Sequence, residues 1–332
     1  MKVLVTGATG FIGSHVVDQL LKSGHEVGVL ARNSSKQGDI LEKLGVSPTS
    51  VTLHQGDVLD TDWADLLPGY QGLVHCAGIM SKNVADVQKM WDLNVTGSER
   101  LLQAAVDAGL DPVIFVSSFM AMFPPAGPLM TANDPVHEPD SSYAKTKAQA
   151  ERDARKLQDS GAPVVCIYPA SVNGPDDPTV GSGQEFLANY VNSGTMLVTE
   201  GGLTFTDVRD LALLISRLLE PGNGPRRIMA TADYLTHQQI LEVMREQTGK
   251  EIKASKMPGW LLRGIGRIAD LKQKLLGGPT PDLTYEAAAV LTRCVAQDDA
   301  EARQVLGQDI IGGEQSLRDM VDWMKAEGVI KA

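Results

Sequence analysis

The sequence predicts an α/β protein with a doubly wound, mainly parallel sheet and a smaller, mostly helical C-terminal lobe. Short apolar runs alternate with helical patterns through the first half of the chain, which is typical of parallel strands joined by crossover helices. A glycine-rich turn follows the first of these runs directly. After Pro169 the pattern becomes mostly helical, which indicates a second lobe.

Strands are predicted where apolar runs of strand length end at turn signals. Six lie in the first half of the chain and a seventh returns to the sheet later, at 2–6, 26–31, 51–57, 72–78, 112–118, 163–169 and 226–231. Besides one helix that begins at Phe11, helices are predicted at 36–45, 83–108, 142–160, 208–220, 236–249, 258–276, 299–306 and 315–327.

Composition narrows the class of protein. The chain has 332 residues, of which 43% are hydrophobic and 21% charged, as in soluble globular proteins. A net charge of −11 disfavours a nucleic-acid partner, because a phosphate backbone would be repelled. No apolar run has the length of a signal-peptide core or a membrane span, so we expect neither export nor insertion.

Cysteine and histidine usage favours the cytoplasm and no metal. The three cysteines, Cys76, Cys166 and Cys294, are far apart and form no CxxC pair, which fits neither a disulfide framework nor structural zinc. A reducing, cytoplasmic location is therefore expected. The six histidines are dispersed without metal-ligand spacing, and we predict no metal site.

The opening segment MKVLVTGATGFIG places Gly7, Gly10 and Gly13 at three-residue spacing. In a strand–turn–helix unit, glycines let a pyrophosphate approach the backbone, and the helix N-terminus binds it through free N–H groups. The spacing differs from GxGxxG, so the strand and helix on either side carry the prediction. A tight turn that binds no ligand is the alternative.

These observations predict a division of the chain. Residues 1–172 form a dinucleotide-binding (Rossmann) domain, to which 204–232 return. Residues 173–203 and 233–332 form a substrate-binding lobe.

The residue after the second strand indicates which dinucleotide is bound. An acid at this position would bond the ribose 2′-OH of NAD, but the chain continues with Arg32 and a polar segment. A guanidinium suits a 2′-phosphate, so NADP(H) is favoured over NAD(H). The alternative is that Arg32 is only a solvated residue.

Tyr143 and Lys147 are four residues apart and share one face of a predicted helix. A tyrosine is a poor acid or base at neutral pH unless a nearby cation stabilises its phenolate, and Lys147 could be that cation. Because a YxxxK pair is common by chance, its position in the chain matters more than its spacing.

The order of motifs resembles that of an extended short-chain dehydrogenase/reductase of the epimerase/dehydratase superfamily. The resemblance covers nearly the whole chain and rests on TGATGFIG (6–13), GDV (56–58), HCAG (75–78), LNVTG (93–97), VSS (116–118), YAKTK (143–147), YPASVNGP (168–175) and FTDVRDLA (205–212).

The resemblance implies roles for individual residues. Tyr143 would be the acid or base, Lys147 would hold the ribose and lower the tyrosine pKa, and Ser118 would bond the substrate oxygen, with Ser117 as the alternative. Asn94 would complete the catalytic set. The cofactor would contact Thr6, Gly7, Thr9, Gly10, Phe11, Ile12, Gly13, Arg32, Asp57, Val58, Cys76, Ala77, Gly78, Ser117, Tyr143, Lys147, Tyr168, Pro169, Ala170 and Val172. A homodimer through the helices at 83–108 and 142–160 is also implied.

Two departures from the family pattern bear on the substrate. Tyr168 stands where the family has Arg, and Asn173 where it has Tyr. Both departures disfavour a nucleotide-sugar substrate. With Arg32 in place of an acid, we expect an NADP(H)-dependent reductase of a ketone or aldehyde on a fairly apolar small molecule. The alternatives are a nucleotide-sugar epimerase or dehydratase with retained cofactor, and a non-catalytic cofactor-binding regulator.

Apolar residues predicted at the mouth of the site favour the reductase, although they could equally belong to the core: Ile79, Met80, Phe119, Met120, Met122 and Phe123. The segment 256–278 combines an apolar stripe with basic residues. We interpret it as a helix that closes the second lobe over the cleft. The alternative is an amphipathic helix on an anionic membrane surface.

Overall fold

Seven parallel strands form the central sheet. The structure is a computed structural model that describes residues 1–81, 83–276, 281, 283–307 and 310–331. The strands in this part of the chain are β1 (Lys2–Thr6), β2 (Glu26–Ala31), β3 (Val51–Gln55), β4 (Gly72–His75), β5 (Val113–Val116), β6 (Leu129–Met130), β7 (Val164–Tyr168), β8 (Ser171–Asn173), β9 (Thr195–Val198), β10 (Gly202–Asp207), β11 (Arg226–Met229), β12 (Asp233–Thr236), β13 (Lys253–Lys256) and β14 (Ala296–Gln297).

Helices alternate with these strands in the first half of the chain and predominate in the second. They are α1 (Phe11–Lys22), α2 (Ser34–Lys43), α3 (Trp63–Leu66), α4 (Val87–Trp91), α5 (Ser98–Asp107), α6 (Ser142–Asp159), α7 (Ser182–Ser193), α8 (Val208–Arg217), α9 (His237–Thr248), α10 (Gly259–Leu276), α11 (Tyr285–Arg293), α12 (Ala300–Leu306) and α13 (Gly313–Ala326). A π-helical segment, Asp92–Gly97, joins α4 to α5 within the predicted helix at 83–108.

The central sheet has the strand order β11-β7-β5-β4-β1-β2-β3, with parallel neighbours throughout. The chain runs outward from β1 to β3 and then crosses back to β4, so the winding direction reverses between β1 and β4. The doubly wound parallel sheet is confirmed, including the return of β11 beside β7. Ligands of such sheets bind at the carboxyl ends of the strands near this reversal.

Alternating side chains of the strands pack against helices on both faces of the sheet. Val3 and Val5 belong to an apolar cluster with residues of α1 and α8, whereas Leu4 belongs to a cluster with residues of α5 and α6. A third cluster joins α7, α9, α11 and α13 in the C-terminal part. Both faces of the sheet are therefore covered, which leaves its strand ends for ligands.

The C-terminal part is mainly helical, as expected, but it also contains short strands that the sequence patterns did not predict. β10 pairs with β8 and β12 in a three-stranded sheet, and β13 pairs with β9. The side chains of β13 are all exposed, so no apolar alternation marks this strand in the sequence. β10 thus joins the smaller sheet, while α8 and β11 pack with the central one.

Candidate active site

The glycine turn between β1 and α1 is tightly packed at Gly7 and Gly13 and less tightly at Gly10. Gly7 has a φ of +77°, and a Cβ there would lie 2.6 Å from the backbone nitrogen of Ala77. A Cβ at Gly13 would lie 2.2 Å from the Gly7 oxygen, so α1 packs directly on the turn. Gly10 begins the helix without a capping side chain, and a Cβ there would meet only the Gly7 oxygen, at 3.4 Å.

This turn fits a dinucleotide. Gly10 is half-buried and begins α1 without a capping side chain, so the N–H groups and the helix dipole at this N-terminus favour a pyrophosphate. The alternative from the sequence is a tight turn that binds no ligand, and the binding of a dinucleotide at this turn stays a prediction.

The end of β2 brings together two residues that the sequence singled out separately. The Nη1 of Arg32 lies 3.6 Å from Oδ2 of Asp57, and the Arg32 side chain is 68% exposed. Asp57 also accepts a hydrogen bond from the N–H of Leu59 (3.0 Å), which fixes its carboxylate beside the strand end. Since the ion pair is exposed, it contributes little to stability and leaves the guanidinium accessible.

Tyr143 and Lys147 lie on the first turns of α6, as expected. Ser141 caps this helix by accepting a hydrogen bond from the N–H of Ala144 (3.2 Å). Tyr143 is half-buried. Lys147 is buried, and its ammonium donates to the Val116 carbonyl (3.4 Å) and lies 5.7 Å from the centroid of the Phe115 ring.

Burial controls the ionisation of both side chains. It raises the pKa of Tyr143 to about 12, an effect that the Ser118 side chain opposes and the Glu286 charge reinforces. Burial lowers the pKa of Lys147 to about 8, against the charges of Cys76 and Glu151. The Lys147 ammonium is directed at the Val116 carbonyl, and its lowering of the tyrosine pKa stays a prediction.

Ser117 and Ser118 follow β5 and their side chains have different partners. The Ser118 hydroxyl accepts a hydrogen bond from the N–H of Met120 (3.2 Å) and interacts with Tyr143. The Ser117 hydroxyl donates to Glu151 (2.7 Å). Ser118 therefore is the serine beside the tyrosine, and a contact of Ser117 with a cofactor stays a prediction.

Glu151 is a fully buried carboxylate one turn beyond Lys147, and the sequence analysis did not identify it. It accepts hydrogen bonds from Ser117, from the Tyr168 hydroxyl (2.6 Å) and from Nε of Arg155 (2.8 Å). Arg155, on the same helix, is the positively charged partner of Glu151. Tyr168, which stands where the family has an arginine, contacts Glu151 through its hydroxyl. The Tyr168 side chain is thus directed at Glu151, which leaves only its backbone for a cofactor.

Asn94 lies in the π-helical segment and is buried. Its side chain accepts from the N–H of Ile79 (2.8 Å) and donates to the Ile79 carbonyl (2.8 Å) and to Thr146 (3.0 Å). A Cβ at Gly78 would lie 3.5 Å from Oδ1 of Asn94 and 3.8 Å from Nζ of Lys147. Asn94 therefore ties the loop after β4 to α6, next to Lys147.

The remaining predicted cofactor contacts lie at the strand ends and the start of α1. The hydroxyl of Thr6 is paired with His75 (2.6 Å) rather than directed at the turn. The other positions are buried or half-buried: Thr9, Phe11, Ile12, Val58, Cys76, Ala77, Pro169, Ala170 and Val172. Their contact with a cofactor stays a prediction.

Most of the apolar residues expected at the mouth belong to the core instead. Phe119, Met120, Met122 and Phe123 are at most 9% exposed and pack in the cluster around α6, because the loop after Ser118 turns inward. Met80 is 58% exposed.

Glu286 of α11 is a second residue that the sequence analysis missed. It accepts hydrogen bonds from the N–H (2.8 Å) and the hydroxyl of Ser141, two residues before Tyr143. No sequence signal links positions 145 residues apart, whereas Glu151 could have been found from its four-residue spacing to Lys147. Glu286 therefore connects the C-terminal part to the N-terminus of the tyrosine helix.

Within the described residues we find no cluster of three or more His, Cys, Asp or Glu side chains that could bind a metal. In the same part of the chain, no helix has both the length and the hydrophobicity to span a bilayer.

The glycine turn on the parallel sheet, together with the serine, tyrosine and lysine near the strand ends, defines an NAD(P)-dependent enzyme of the extended short-chain dehydrogenase/reductase type. The chain belongs to the NAD dependent epimerase/dehydratase family, whose model matches residues 3–230.

Full-length relatives support this assignment. Sterol demethylase protein B of Methylococcus capsulatus is 28% identical over 336 residues, covering 99% of this chain and 100% of the relative. A putative dihydroflavonol 4-reductase of Synechocystis sp. is 28% identical and covers 98% of this chain and 95% of the relative. Among solved structures, that of gox2253 superposes with a TM-score of 0.81 at 25% identity, covering 99% of both chains.

Proposed function

We propose that the enzyme uses NADP(H) to reduce a ketone or aldehyde, or to oxidise the corresponding alcohol, on a fairly apolar small molecule. The observation that carries this proposal is the placement of Tyr143 beside Ser118, on a helix whose Lys147 lies next to Gly78. Such a tyrosine can exchange a proton with a substrate oxygen where the strand ends of a doubly wound sheet bind a nucleotide.

Each residue has a role in this proposal. A bound nicotinamide would supply or accept the hydride. The Tyr143 hydroxyl donates a proton to the carbonyl oxygen, and the Ser118 hydroxyl donates a hydrogen bond to the same oxygen as negative charge develops there. Lys147 holds ribose hydroxyls through its ammonium, and Asn94 keeps the loop at Ile79 in place.

The glycine turn and Arg32 would bind the two phosphate regions of the cofactor. The pyrophosphate would lie at the N-terminus of α1, next to Gly10. Arg32 would pair with a 2′-phosphate, which supports NADP(H) over NAD(H), because no acid occupies the end of β2. Asp57 would contact the adenosine.

Two further observations support an apolar substrate. The relatives that match over their full length are named for a sterol and for a dihydroflavonol. Met80 is exposed on the loop that Asn94 holds, where it can contact a substrate. The division into a cofactor domain and a substrate lobe, the homodimer through α4–α6 and a cytoplasmic location belong to the same proposal.

The experiment is a measurement of NADPH oxidation with a panel of ketones and aldehydes, from small soluble compounds to sterol and flavonoid ketones. We expect turnover with NADPH and a loss of about 10²- to 10⁴-fold in Tyr143→Phe, which removes the proton donor. Tyr70→Phe is the matched control and keeps its activity, because the Tyr70 hydroxyl contacts His54 and no residue of the proposed site. Interconversion of a nucleotide sugar without net NADPH oxidation would instead identify the epimerase alternative.

A further inference from the structure

The helix α10 lies with its apolar side outward. The segment was predicted as a helix at 258–276 within 256–278, and the structure gives Gly259–Leu276; Gly277 and Gly278 lie outside the described residues. Its outward face carries Trp260, Leu261, Ile265, Ile268, Leu271, Leu275 and Leu276, which are 39–76% exposed.

The inward face of α10 has one buried leucine, Leu262, in the C-terminal apolar cluster, and its other contacts involve small and polar residues. A Cβ at Gly266 would lie 2.6 Å from the Thr284 oxygen, so α10 packs directly against the backbone at the start of α11. Asp270 accepts from the N–H of Tyr285 (2.9 Å), and Arg263 donates to Thr292 (2.6 Å). Apart from Leu262, the side of α10 that faces the protein is therefore small or polar, whereas a surface helix that stabilises a core buries its apolar stripe.

The charge on the outward face has one sign. Lys272 and Lys274 are exposed there, and Arg267 is exposed at the edge of this face, where it lies 3.9 Å from Asp140. Asp270, the single acidic residue in the sequence of α10, is engaged by Tyr285 on the inward side. This basic and apolar surface belongs to a chain whose net charge is −11, so the positive charge is local to the helix.

We propose that the outward face of α10 docks on the surface of an anionic lipid bilayer. A helix in the membrane interface places apolar side chains below the headgroups and basic side chains among them, and α10 offers both sets on one face. A second copy of the chain is a poorer fit, because two α10 faces meeting across a twofold axis would bring the same lysines together. A protein partner would have to be acidic and apolar at once.

The docked helix lies beside the proposed active site. Arg267 stacks on the Tyr285 ring at 4.0 Å and lies 3.9 Å from Asp140, and the next residue, Glu286, holds Ser141 at the start of α6. An apolar substrate could then reach Tyr143 from the bilayer. This delivery step rests on the proposed function, whereas docking itself does not.

Vesicle flotation tests the docking with the full chain. We expect the protein to float with phosphatidylglycerol-containing vesicles at low salt, and not with pure phosphatidylcholine or at high salt. Lys272→Glu with Lys274→Glu, and separately Ile268→Asp with Leu275→Asp, should each weaken binding at least about tenfold. All four side chains are on the exposed face, so these variants should fold, which circular dichroism checks.

Matched controls distinguish an effect of the outward face of α10 from an effect of the protein's net charge or of its exposed apolar residues in general. Lys22→Glu with Lys43→Glu changes the net charge equally on other helices, and Val84→Asp with Leu129→Asp replaces exposed apolar residues elsewhere. Both controls should bind like the wild type. No flotation of the wild type, equal losses in the controls, or a wild-type dimer that only Ile268→Asp with Leu275→Asp dissociates would overturn the proposal.

Flotation also keeps this proposal separate from the enzymatic one. Tyr143→Phe should float like the wild type, because it lies outside the docking face. If no carbonyl is reduced but flotation follows the expected pattern, the proposed function fails and the docking stands. If carbonyls are reduced but the protein does not float, the proposed function stands and the docking fails.

Discussion

Glu286 accepts hydrogen bonds from the backbone N–H and the hydroxyl of Ser141, the residue that caps the helix carrying Tyr143. These two residues are 145 positions apart, so a carboxylate from the C-terminal part sets the position of the helix start. Its negative charge also raises the pKa of Tyr143. Glu286 is therefore a positioning residue that also influences the proton affinity of the proposed acid.

Glu286→Gln should alter the pH dependence as well as the rate. Alcohol oxidation needs the Tyr143 phenolate as base, and removing the carboxylate charge favours that phenolate. We expect the rising limb of the pH–rate profile for oxidation to shift to lower pH, with kcat reduced about tenfold and the Kd for NADPH unchanged. Steady-state kinetics across pH, with fluorescence titration of NADPH, measures both effects.

Glu138→Gln is the matched control for this change. Glu138 also precedes α6, but its side chain is 83% exposed and pairs with Arg152 instead of Ser141. It should leave the profile in place. A Glu286→Gln enzyme with a lower rate and an unshifted profile would show that Glu286 only supports the fold.

The buried charge of Lys147 should lower the free energy of unfolding, although the proposed reaction needs this lysine. Its pKa in the folded protein is about 8, below the ordinary 10.5, so the charged side chain opposes folding below pH 8 and this cost fades as the pH rises toward 10.5. Lys147→Met removes the charge and keeps most of the volume. We expect a gain of about 1–3 kcal/mol in the free energy of unfolding at neutral pH, with turnover reduced at least about 100-fold.

Urea unfolding and NADPH oxidation test these two effects on the same samples. Lys145→Met is the control, because Lys145 lies on the same helix but is exposed, and it should change neither quantity. A Lys147→Met protein that is both inactive and clearly less stable would assign the lysine a structural role.

Arg32 should distinguish the two nicotinamide cofactors. Its pairing with Asp57 at 3.6 Å is exposed and can be exchanged for a 2′-phosphate at little cost. Arg32→Ala should raise the Kd for NADPH by about 10- to 100-fold and leave that for NADH within about twofold. Isothermal titration with both cofactors measures the change, and Lys43→Ala, on the outer side of α2, is the control. Equal losses for NADPH and NADH would remove the basis for NADP preference.

The sheet and the central part of the site could be predicted from local sequence. Apolar runs and turns locate the strands, and the strand–glycine–helix unit locates the cofactor turn, because both depend on neighbouring residues. Tyr143, Lys147 and Ser118 follow from motif order. The contacts of Arg32 with Asp57 and of Glu286 with Ser141 could not be predicted, since each depends on how distant segments pack.

Other outcomes depended on which way a side chain points. Apolar residues such as Met122 and Phe123 are equally compatible with the mouth of the site and with the core. The chain turns inward after Ser118, and this places both side chains in the core. The apolar stripe of α10 has the period of a helix that covers a core, yet it faces outward because Gly266 packs against the protein. Periodicity shows that a helix has two faces but not which one is buried.

His75 should make the folded protein sensitive to acid. It is fully buried between Thr6 (2.6 Å to Nδ1) and Ser98 (2.9 Å to Nε2), and burial lowers its pKa to about 3. In the unfolded chain His75 is protonated below about pH 6.5, whereas in the folded protein it stays neutral down to about pH 3. Acid therefore favours the unfolded state, and the free energy of unfolding falls as the pH drops from 6.5 toward 3. Between neutral pH and about pH 5 this one group should remove about 2 kcal/mol from the free energy of unfolding.

Urea unfolding of His75→Gln at neutral pH and at about pH 5 tests whether His75 causes this loss of stability. The variant should be less stable at neutral pH, because it disturbs two buried hydrogen bonds, but its loss of stability on acidification should be smaller by about 2 kcal/mol. His25→Gln provides the comparison, since His25 is only half-buried and should contribute less to the slope. An unchanged pH slope in His75→Gln would mean that other groups, such as the buried His237, whose pKa is lowered to about 4, dominate acid unfolding.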